Sequence, residues 1–235
     1  MRYFVSLASG DGKRLFPLLK VKKQYAVLNE GTSYAEVSFI LPLKTAISSS
    51  LFERIIVVIN KEDEGLTRRY LSNAGLNQVE LVYGSNFREA SLKNAAAYLK
   101  TIKADENDVV YVHDSARVLL SIEFLLSLAK EDSSNLIPCL DLSDSILDKR
   151  SLSYLDRDNF KLVQTPQVMR FKDLISIMNL DVSKYTDEGS MLKAANIPFK
   201  LIKGDRNNIK LTDQESLHYI EYLRSKANEY GKTKI

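Results

Sequence analysis

Residues 3–14 read YFVSLASGDGKR, a short apolar run followed directly by a loop of glycines and basic side chains. The run over 3–8 is almost continuously apolar, which is typical of a strand buried on both faces in a parallel sheet. Comparable runs recur between longer amphipathic stretches, and we predict further strands over 54–60, 79–83, 109–113, 136–140 and 199–203.

Helix signals separate these predicted strands. Asn86 with Glu89, and Thr212 with Glu215, have the spacing of a capping box, in which two side chains satisfy each other's free backbone N–H groups. They precede helices predicted to end near residues 100 and 227, and a third helix is predicted over 122–130 after Ser121. Alternating strands and helices indicate an α/β fold: a Rossmann-like, open, mostly parallel sheet with helices on both faces.

Residues 142–163 depart from this alternation. A polar stretch is followed by two short strand-like runs, over 151–154 and 160–163, that flank a turn. We therefore predict a projecting β-arm here and a single domain over residues 1–235 that contains it.

Composition excludes several functional classes. The 235 residues carry a net charge of +3, which is too small for a nucleic-acid-binding surface. One cysteine, Cys139, and two histidines exclude an intramolecular disulfide framework and disfavour a zinc site. The apolar runs fall far short of the roughly 20 residues that span a bilayer, so we expect a cytoplasmic protein with no membrane contact.

The loop after the first strand is the first candidate site. Two glycines let a backbone approach a phosphate closely, and five cations stand within eleven residues: Lys13, Arg14, Lys20, Lys22 and Lys23. Leu15 occupies a position where a dinucleotide fingerprint needs glycine, which argues against a nicotinamide-dependent reductase. A plain turn with solvated lysines, Lys13 and Lys20 above all, remains open from this stretch alone.

A second candidate site follows the strand over 109–113. Asp114 at a strand's carboxyl end can bind a ribose hydroxyl or Mg²⁺, and Arg117 can bind a phosphate, although the two also fit a structural ion pair. His113 points to the opposite face from Asp114 and is interpreted as a core histidine. The stretch 84–88 opens a helix, again a place for anions.

Four motifs in order carry a resemblance over most of the chain. They are KQY at 23–25, HDSAR at 113–117, QTPQ at 164–167 and NIKLT at 208–212. Together they resemble the 2-C-methyl-D-erythritol 4-phosphate cytidylyltransferase family, whose sister group acts on ribitol 5-phosphate in teichoic acid and capsule synthesis.

The resemblance implies a CTP-dependent enzyme with defined residue roles. Arg14 and Lys23 would stabilise the α-phosphate in the transition state, and Arg157 and Lys210 would position the polyol phosphate, helped by Arg117 and Thr165. The nucleotide would be held by Ala8, Ser9, Gly10, Asp11, Gly12, Gly84, Asn86, Ser91, Asp114 and Ser115.

The resemblance also implies Mg²⁺ at Asp114 and a homodimer. The arm would exchange across a two-fold axis, with Ser145 reaching a phosphate in the partner subunit's site. The chain departs from the family's pattern where Lys22 replaces a proline and where Leu15-Phe16 replace methionine-glycine.

The residues leave three functions to compare. Transfer of CMP from CTP to 2-C-methyl-D-erythritol 4-phosphate, with release of pyrophosphate, is the prediction. Ala116 and the Thr186-Asp187-Glu188 stretch favour it, whereas Asp141 and the stretched first loop favour ribitol 5-phosphate as acceptor. A nucleotide-binding protein without catalytic activity is the alternative of another class.

Overall fold

The computed structural model describes residues 1–10, 19–85, 87–181 and 184–232. The strands are β1 (Arg2–Leu7), β2 (Val27–Leu28), β3 (Glu36–Val37), β4 (Arg54–Ile59), β5 (Glu80–Tyr83), β6 (Val109–Asp114), β7 (Leu136–Asp141), β8 (Ile146–Leu147), β9 (Tyr154–Leu155), β10 (Lys161–Val163), β11 (Gln167–Arg170) and β12 (Lys200–Lys203). The α-helices are α1 (Ile40–Ser48), α2 (Glu64–Asn73), α3 (Arg88–Thr101), α4 (Ile122–Ala129), α5 (Phe171–Ile177), α6 (Glu188–Ala194) and α7 (Gln214–Lys232).

The central sheet is open and mixed, and its parallel part matches the predicted strands. Its strand order is β10-β7-β11-β6-β1-β4-β5, with β12 on β7. Strand β1 runs parallel to β4 and β6, β4 parallel to β5, and β12 parallel to β7. Strands β10 and β11 run antiparallel to their neighbours. The predicted α/β fold is confirmed. Strand β10 falls within the run predicted over 160–163 but belongs to the main sheet, and β11 is a strand that was not predicted.

Both faces of the sheet are buried, as the apolar runs predict. Along β1, Phe4 packs into one core cluster, whereas Tyr3 and Val5 pack into the other. This alternation follows from strand geometry, in which successive side chains point to opposite faces. Helix α1 packs on the first face, and α3 and α5 pack on the second.

Two of the predicted helix starts can be checked. The Ser121 side chain accepts a hydrogen bond from Phe124 N at 3.2 Å, which confirms it as the N-cap of α4. The capping box predicted on Thr212 is one residue out of place. Asp213 Oδ1 accepts from Ser216 N at 2.8 Å, and Ser216 Oγ accepts from Asp213 N at 3.0 Å. Asp213 reaches the third backbone N–H of the helix, so it takes the capping position.

Within the predicted arm, β8 and β9 pair only with each other, in a small antiparallel sheet of their own. They lie at 146–147 and 154–155, earlier than the two predicted runs. Residues 161–163 form β10 and rejoin the main sheet through β7.

Within the described ranges, no helix combines the length and the apolar character that crossing a membrane requires.

Candidate active site

A cleft opens at the carboxyl ends of the neighbouring strands β1 and β6, the position at which open α/β sheets bind ligands. It is lined by Leu7, Ser9, Gly10, Lys23, Gln24, Arg88, Asp114, Ser115, Ala116 and Lys210. Side chains more than a hundred residues apart in the chain therefore meet at one place, because parallel strands end at one edge.

Asp114 is the carboxylate at the floor of this cleft. Its Oδ1 accepts from Arg88 Nε at 3.0 Å, and its Oδ2 accepts from Lys210 Nζ at 2.6 Å. Burial alone would raise the pKa of the Asp114 carboxyl, but the charges of Arg88 and Lys210 outweigh it and hold that pKa well below its usual range. The cleft therefore presents a permanently ionised acid flanked by two cations.

Arg88 also forms an ion pair with a second acid, Glu188. Its Nη1 and Nη2 atoms donate to the two Glu188 oxygens at 2.5 and 3.1 Å, and Glu188 has no exposed area. Burial raises the pKa of Glu188, and the Arg88 charge opposes that rise.

Helix α6 carries Glu188 into the protein at its first turn. Asp187 and Ser190 form a capping box at its start. Gln167 on β11 donates to Asp187 Oδ2 at 2.9 Å and accepts from Gly189 N at 2.7 Å. A Cβ on Gly189 would stand 3.1 Å from Ile137 Cδ1, so the start of α6 lies tightly against the sheet.

A buried hydrogen-bond chain shapes the turn that follows β6. Asp114 N donates to Thr165 Oγ1 at 3.0 Å, and Thr165 Oγ1 lies 3.3 Å from His113 Nδ1. His113 Nε2 lies 3.0 Å from Arg117 O, which only accepts, so Nε2 carries the proton and the Thr165 hydroxyl donates to Nδ1. Burial lowers the pKa of His113 to about 4. His113 is therefore the neutral core histidine that the sequence predicts.

The Arg117 side chain donates hydrogen bonds to backbone carbonyl groups beside this turn. It donates to Asn208 O at 2.8 Å and to Val163 O at 3.2 Å, while its Nε is buried without a partner. Asn208 in turn donates to Thr165 O at 2.6 Å. Three of the four motifs that carry the resemblance, HDSAR, QTPQ and NIKLT, are thus joined by direct hydrogen bonds.

The fourth motif brings Lys23 to the same cleft. Lys23 Nζ donates to Leu211 O at 3.3 Å, the residue next to Lys210. The Lys23 carbonyl accepts from Ser38 Oγ at 2.6 Å, and Gln24 Nε2 donates to Gly10 O at 2.8 Å. The segment 23–25 therefore bridges the end of β1 and the start of α7.

Gly84 stands where three elements approach too closely for a side chain. A Cβ there would lie 2.7 Å from Ser91 Oγ and 2.9 Å from Ser9 Cβ. The Ser91 hydroxyl is buried, 2.7 Å from Ser9 Oγ, and accepts from Ser85 N at 2.9 Å. In this structure Ser91 supports the loop from beneath and does not form part of its exposed surface.

Apart from Ala8, the predicted site residues divide into three groups. The structure brings together Ser9, Gly10, Lys23, Gly84, Ser91, Asp114, Ser115, Arg117, Thr165 and Lys210 around the cleft and the turn beneath it. Ala8, predicted to contact the nucleotide, is instead buried in the core cluster on one face of the sheet. Asp11, Gly12, Arg14 and Asn86 lie outside the described residues.

The third group is Arg157 and Ser145, and neither lies in the cleft of its own chain. Arg157 begins a short 3₁₀ turn in the arm, donates to Ser143 O and is half exposed. Ser145 is exposed in the same arm. Within a single chain, the lining of the cleft includes Lys23 and Lys210 but not Arg157. The role of Arg157 in positioning the polyol phosphate stays a prediction.

Two residues of the site have no predicted role, Arg88 and Glu188. The sequence position of Arg88 could have predicted its place in the site. It lies in the first turn of the helix that follows a strand, and a cation there faces the carboxyl edge of the sheet. Glu188 stands in the Thr186-Asp187-Glu188 stretch, but its partner lies 100 residues away in the chain, and no local spacing encodes that contact.

A larger cleft, of about 1080 Å³, lies beside β7, β12 and α4. Its lining holds as many acids as cations, and Lys161 pairs with Asp141 there. The charged residues of this lining are Lys130, Lys161, Lys203 and Arg206 with Glu123, Glu131, Asp141 and Asp205. An anionic substrate needs an excess of cations around one point, and the smaller cleft offers it, with Lys23, Arg88 and Lys210 around the single acid Asp114.

Comparison with known proteins identifies the family of the chain. The family model for 2-C-methyl-D-erythritol 4-phosphate cytidylyltransferase matches residues 3–225. The chain belongs to this family. It is 31% identical over 230 residues to the enzyme of that name from Fusobacterium nucleatum, covering 93% of this chain and 94% of the relative.

Other relatives agree in fold and extent. A bifunctional relative from Pelagibacter ubique is 28% identical over 226 residues, and the match spans 94% of this chain but 57% of that protein. The crystal structure of the Francisella tularensis 2-C-methyl-D-erythritol 4-phosphate cytidylyltransferase superposes with a TM-score of 0.75 at 26% identity, covering 94% of this chain and 98% of that one. The resemblance found in the four motifs is thus confirmed.

Proposed function

We propose that this chain transfers the cytidylyl group of CTP to 2-C-methyl-D-erythritol 4-phosphate and releases pyrophosphate. One observation carries the proposal: in a member of this family, Arg88 and Lys210 both contact Asp114 at the carboxyl edge of the sheet, and Lys23 lines the same cleft. The relatives compared above carry the methylerythritol name, which favours this acceptor over ribitol 5-phosphate.

The reaction joins two anions, and this is the barrier that the site must lower. An oxygen of the acceptor phosphate attacks the α-phosphorus of CTP, a P–O bond forms, and the bond to the departing pyrophosphate breaks. The attacking oxygen is already ionised, so no strong general base is needed, which agrees with a neutral, buried His113. Cations held in place before reaction then stabilise the crowded phosphorus.

Lys23 and Lys210 are the described cations placed for that role. We assign Lys23 to the α-phosphate and Lys210 to the acceptor phosphate, with Arg14 as a further predicted contributor. Lys210 Nζ donates to Asp114 Oδ2 at 2.6 Å, so the lysine is oriented into the cleft before a substrate binds. Arg88 and Asp114 set the edge at which the ribose would bind.

Mg²⁺ at Asp114 stays part of this proposal. Across the described residues, no group of three or more histidine, cysteine or acidic side chains stands close enough to hold a metal ion. Mg²⁺ in nucleotide sites is commonly held by one or two carboxylates together with substrate phosphates and water, and the ionised Asp114 fits that pattern. When bound there, the ion would neutralise charge on the triphosphate.

A homodimer would complete the site through the arm. Six apolar side chains of the arm are 39% to 77% exposed: those of Leu147, Leu152, Tyr154, Leu155, Phe160 and Leu162. An exposed apolar surface of this kind marks an interaction site. We propose that two copies exchange arms across a two-fold axis, so that Arg157 and Ser145 reach the partner's cleft.

The test is pyrophosphate release from CTP with Mg²⁺ and a panel of polyol phosphates. We expect turnover with 2-C-methyl-D-erythritol 4-phosphate and much slower turnover with ribitol 5-phosphate. The reverse preference would assign the chain to the ribitol reaction. CTP binding without turnover on either acceptor would identify a nucleotide-binding protein and refute the enzyme proposal.

A further inference from the structure

The lysine before Lys23 is held by acids on a different element. Lys22 Nζ donates to Asp63 Oδ2 at 2.6 Å and to Glu62 Oε1 at 3.3 Å. The Asp63 side chain is 12% exposed and that of Glu62 is 67% exposed, so Asp63 is the stronger partner. Burial alone would lower the pKa of Lys22, but the hydrogen bond and charge of Asp63 outweigh it and raise that pKa.

The entry to α2, residues 60–67, holds both sides of the first loop. On the side of β1, Asn60 Nδ2 donates to Ser9 O at 2.8 Å. On the other side, Asp63 holds Lys22, and the Thr67 hydroxyl lies 2.9 Å from Tyr25 Oη. The residues on both sides of 11–18 are therefore fastened to one short piece of backbone at the end of β4.

The two adjacent lysines thus have different tasks. Lys22 points to Asp63 and its charge is neutralised there, whereas Lys23 lines the nucleotide cleft. A lysine side chain is long and flexible, so the place of its ammonium group depends on how firmly its backbone is held. The Lys22–Asp63 ion pair fixes that backbone one residue before Lys23.

We propose that Asp63 is a positioning residue for Lys23, acting through its ion pair with Lys22. The inference rests on the proposed function, because it needs Lys23 to act at the α-phosphate. Loss of the pair would leave CTP able to bind but would let Lys23 move from the reacting phosphorus. Misplacement of a positioned group by about 1 Å can cost as much as 100-fold in rate.

The experiment compares four variants in steady-state pyrophosphate release: Asp63→Asn, Lys22→Met, Asp63→Asn with Lys22→Met, and the swap Lys22→Asp with Asp63→Lys. We expect each single variant to lower kcat about tenfold, with the KM of CTP within about twofold of its starting value. The double neutral variant should lose no more than either single one, since one interaction is removed in all three. The charge swap should recover part of the lost kcat.

Glu62→Gln is the matched control, one residue earlier in the same turn and on the same lysine, and we expect its kcat to stay within about twofold of the original enzyme. Melting temperatures are measured in parallel. A partly exposed ion pair adds little to stability, so they should change little.

The results separate this inference from the proposed function. If Lys23→Ala abolishes turnover while Asp63→Asn keeps full kcat, Asp63 has no positioning role. If Lys23→Ala itself keeps full turnover, the assignment of Lys23 fails and the inference falls with it. A kcat loss matched by an equal loss of folded protein, and not restored by the charge swap, would make Asp63 merely structural.

Discussion

Arg88 bridges Glu188 and Asp114, the two carboxylates beneath the nucleotide cleft. It donates to both oxygens of Glu188 and, through Nε, to Asp114. Glu188 is wholly buried, so water cannot replace it as the partner of the guanidinium. The direction in which Arg88 presents Nε to Asp114 is therefore set by a residue that no substrate can touch.

Removing the buried acid should be costly. We expect Glu188→Ala to lower the free energy of unfolding by about 3–5 kcal/mol, because it leaves the Arg88 charge buried with one partner fewer. Urea denaturation measures this. Arg68→Ala, which removes an exposed helical ion pair with Glu64, is the control and should change stability little.

Replacing both partners, as Arg88→Met with Glu188→Leu, should recover stability but not turnover. An apolar pair of similar volume avoids the cost of burying two charges. Asp114, however, then loses the donor that orients it. Full activity in this double variant would contradict a role of the pair in arranging the site.

Gly84 allows a test of packing at the nucleotide loop. Gly84→Ala places a Cβ 2.7 Å from Ser91 Oγ and 2.9 Å from Ser9 Cβ, so one strand end or the helix must shift. We expect a loss of about 1–3 kcal/mol in unfolding free energy and a raised KM for CTP. Gly65→Ala, where nothing lies within 4 Å of the added atom, should leave the KM for CTP unchanged and raise the unfolding free energy by up to about 1 kcal/mol, because alanine is the better helix former. A KM for CTP in Gly84→Ala equal to that of the original protein would contradict this prediction, because it would show that the loop tolerates the shift.

Much of the scaffold was predictable because local patterns encode it. Strands β1 and β4 are apolar on both faces, and that property alone identifies a strand in the middle of a parallel sheet. Ser121 caps α4 through a contact three residues away. By contrast, β11 lies in the middle of the sheet, between β6 and β7, yet its four residues carry no clear period.

The site was predictable only in part, because its contacts are long-range. The motif residues Lys23, Asp114 and Lys210 could be placed by resemblance, and the structure brings them together. Glu188 could not be assigned, since its contact with Arg88 spans 100 residues. In the proposed dimer, the position of Arg157 relative to a cleft would depend on where a second chain places its arm, which no pattern within one chain determines.

His113 gives a pH dependence whose sign follows from its pKa. The folded value is about 4, below the unfolded value of about 6.5, so the unfolded chain binds more protons between these limits. Stability from the neutral ring is complete above about pH 6.5 and is lost as the pH falls toward 4, by about 3 kcal/mol in total.

The measurement is urea denaturation from pH 7 to pH 4.5 for the original protein and for His113→Gln. A glutamine amide retains a donor toward Arg117 O but does not titrate. The variant should therefore show a shallower decline of stability with falling pH. Equal slopes in the two proteins would mean that another group controls the decline, and the buried neutral ring would lose its assigned effect.

Exchange of the arm can be tested by mixing two inactive enzymes. Lys23→Ala should lower turnover at least about 100-fold, the scale for a lost preorganised donor. Arg157→Ala should chiefly weaken binding of the acceptor phosphate, so every assay uses an acceptor concentration far below the KM of that variant, where it is nearly inactive as well. If Arg157 acts in the partner's cleft, a mixed dimer of the two variants contains one cleft with both residues intact and one with neither. Mixing equal amounts and allowing subunits to exchange should then restore about a quarter of the original activity, because half of the dimers are mixed and each has one working site.

Sedimentation before and after mixing confirms that dimers are present, and Tyr154→Asp, placed on the exposed apolar arm, should yield monomers that restore nothing. Activity in the mixture no greater than the sum of its parts would mean that Arg157 serves its own chain or none.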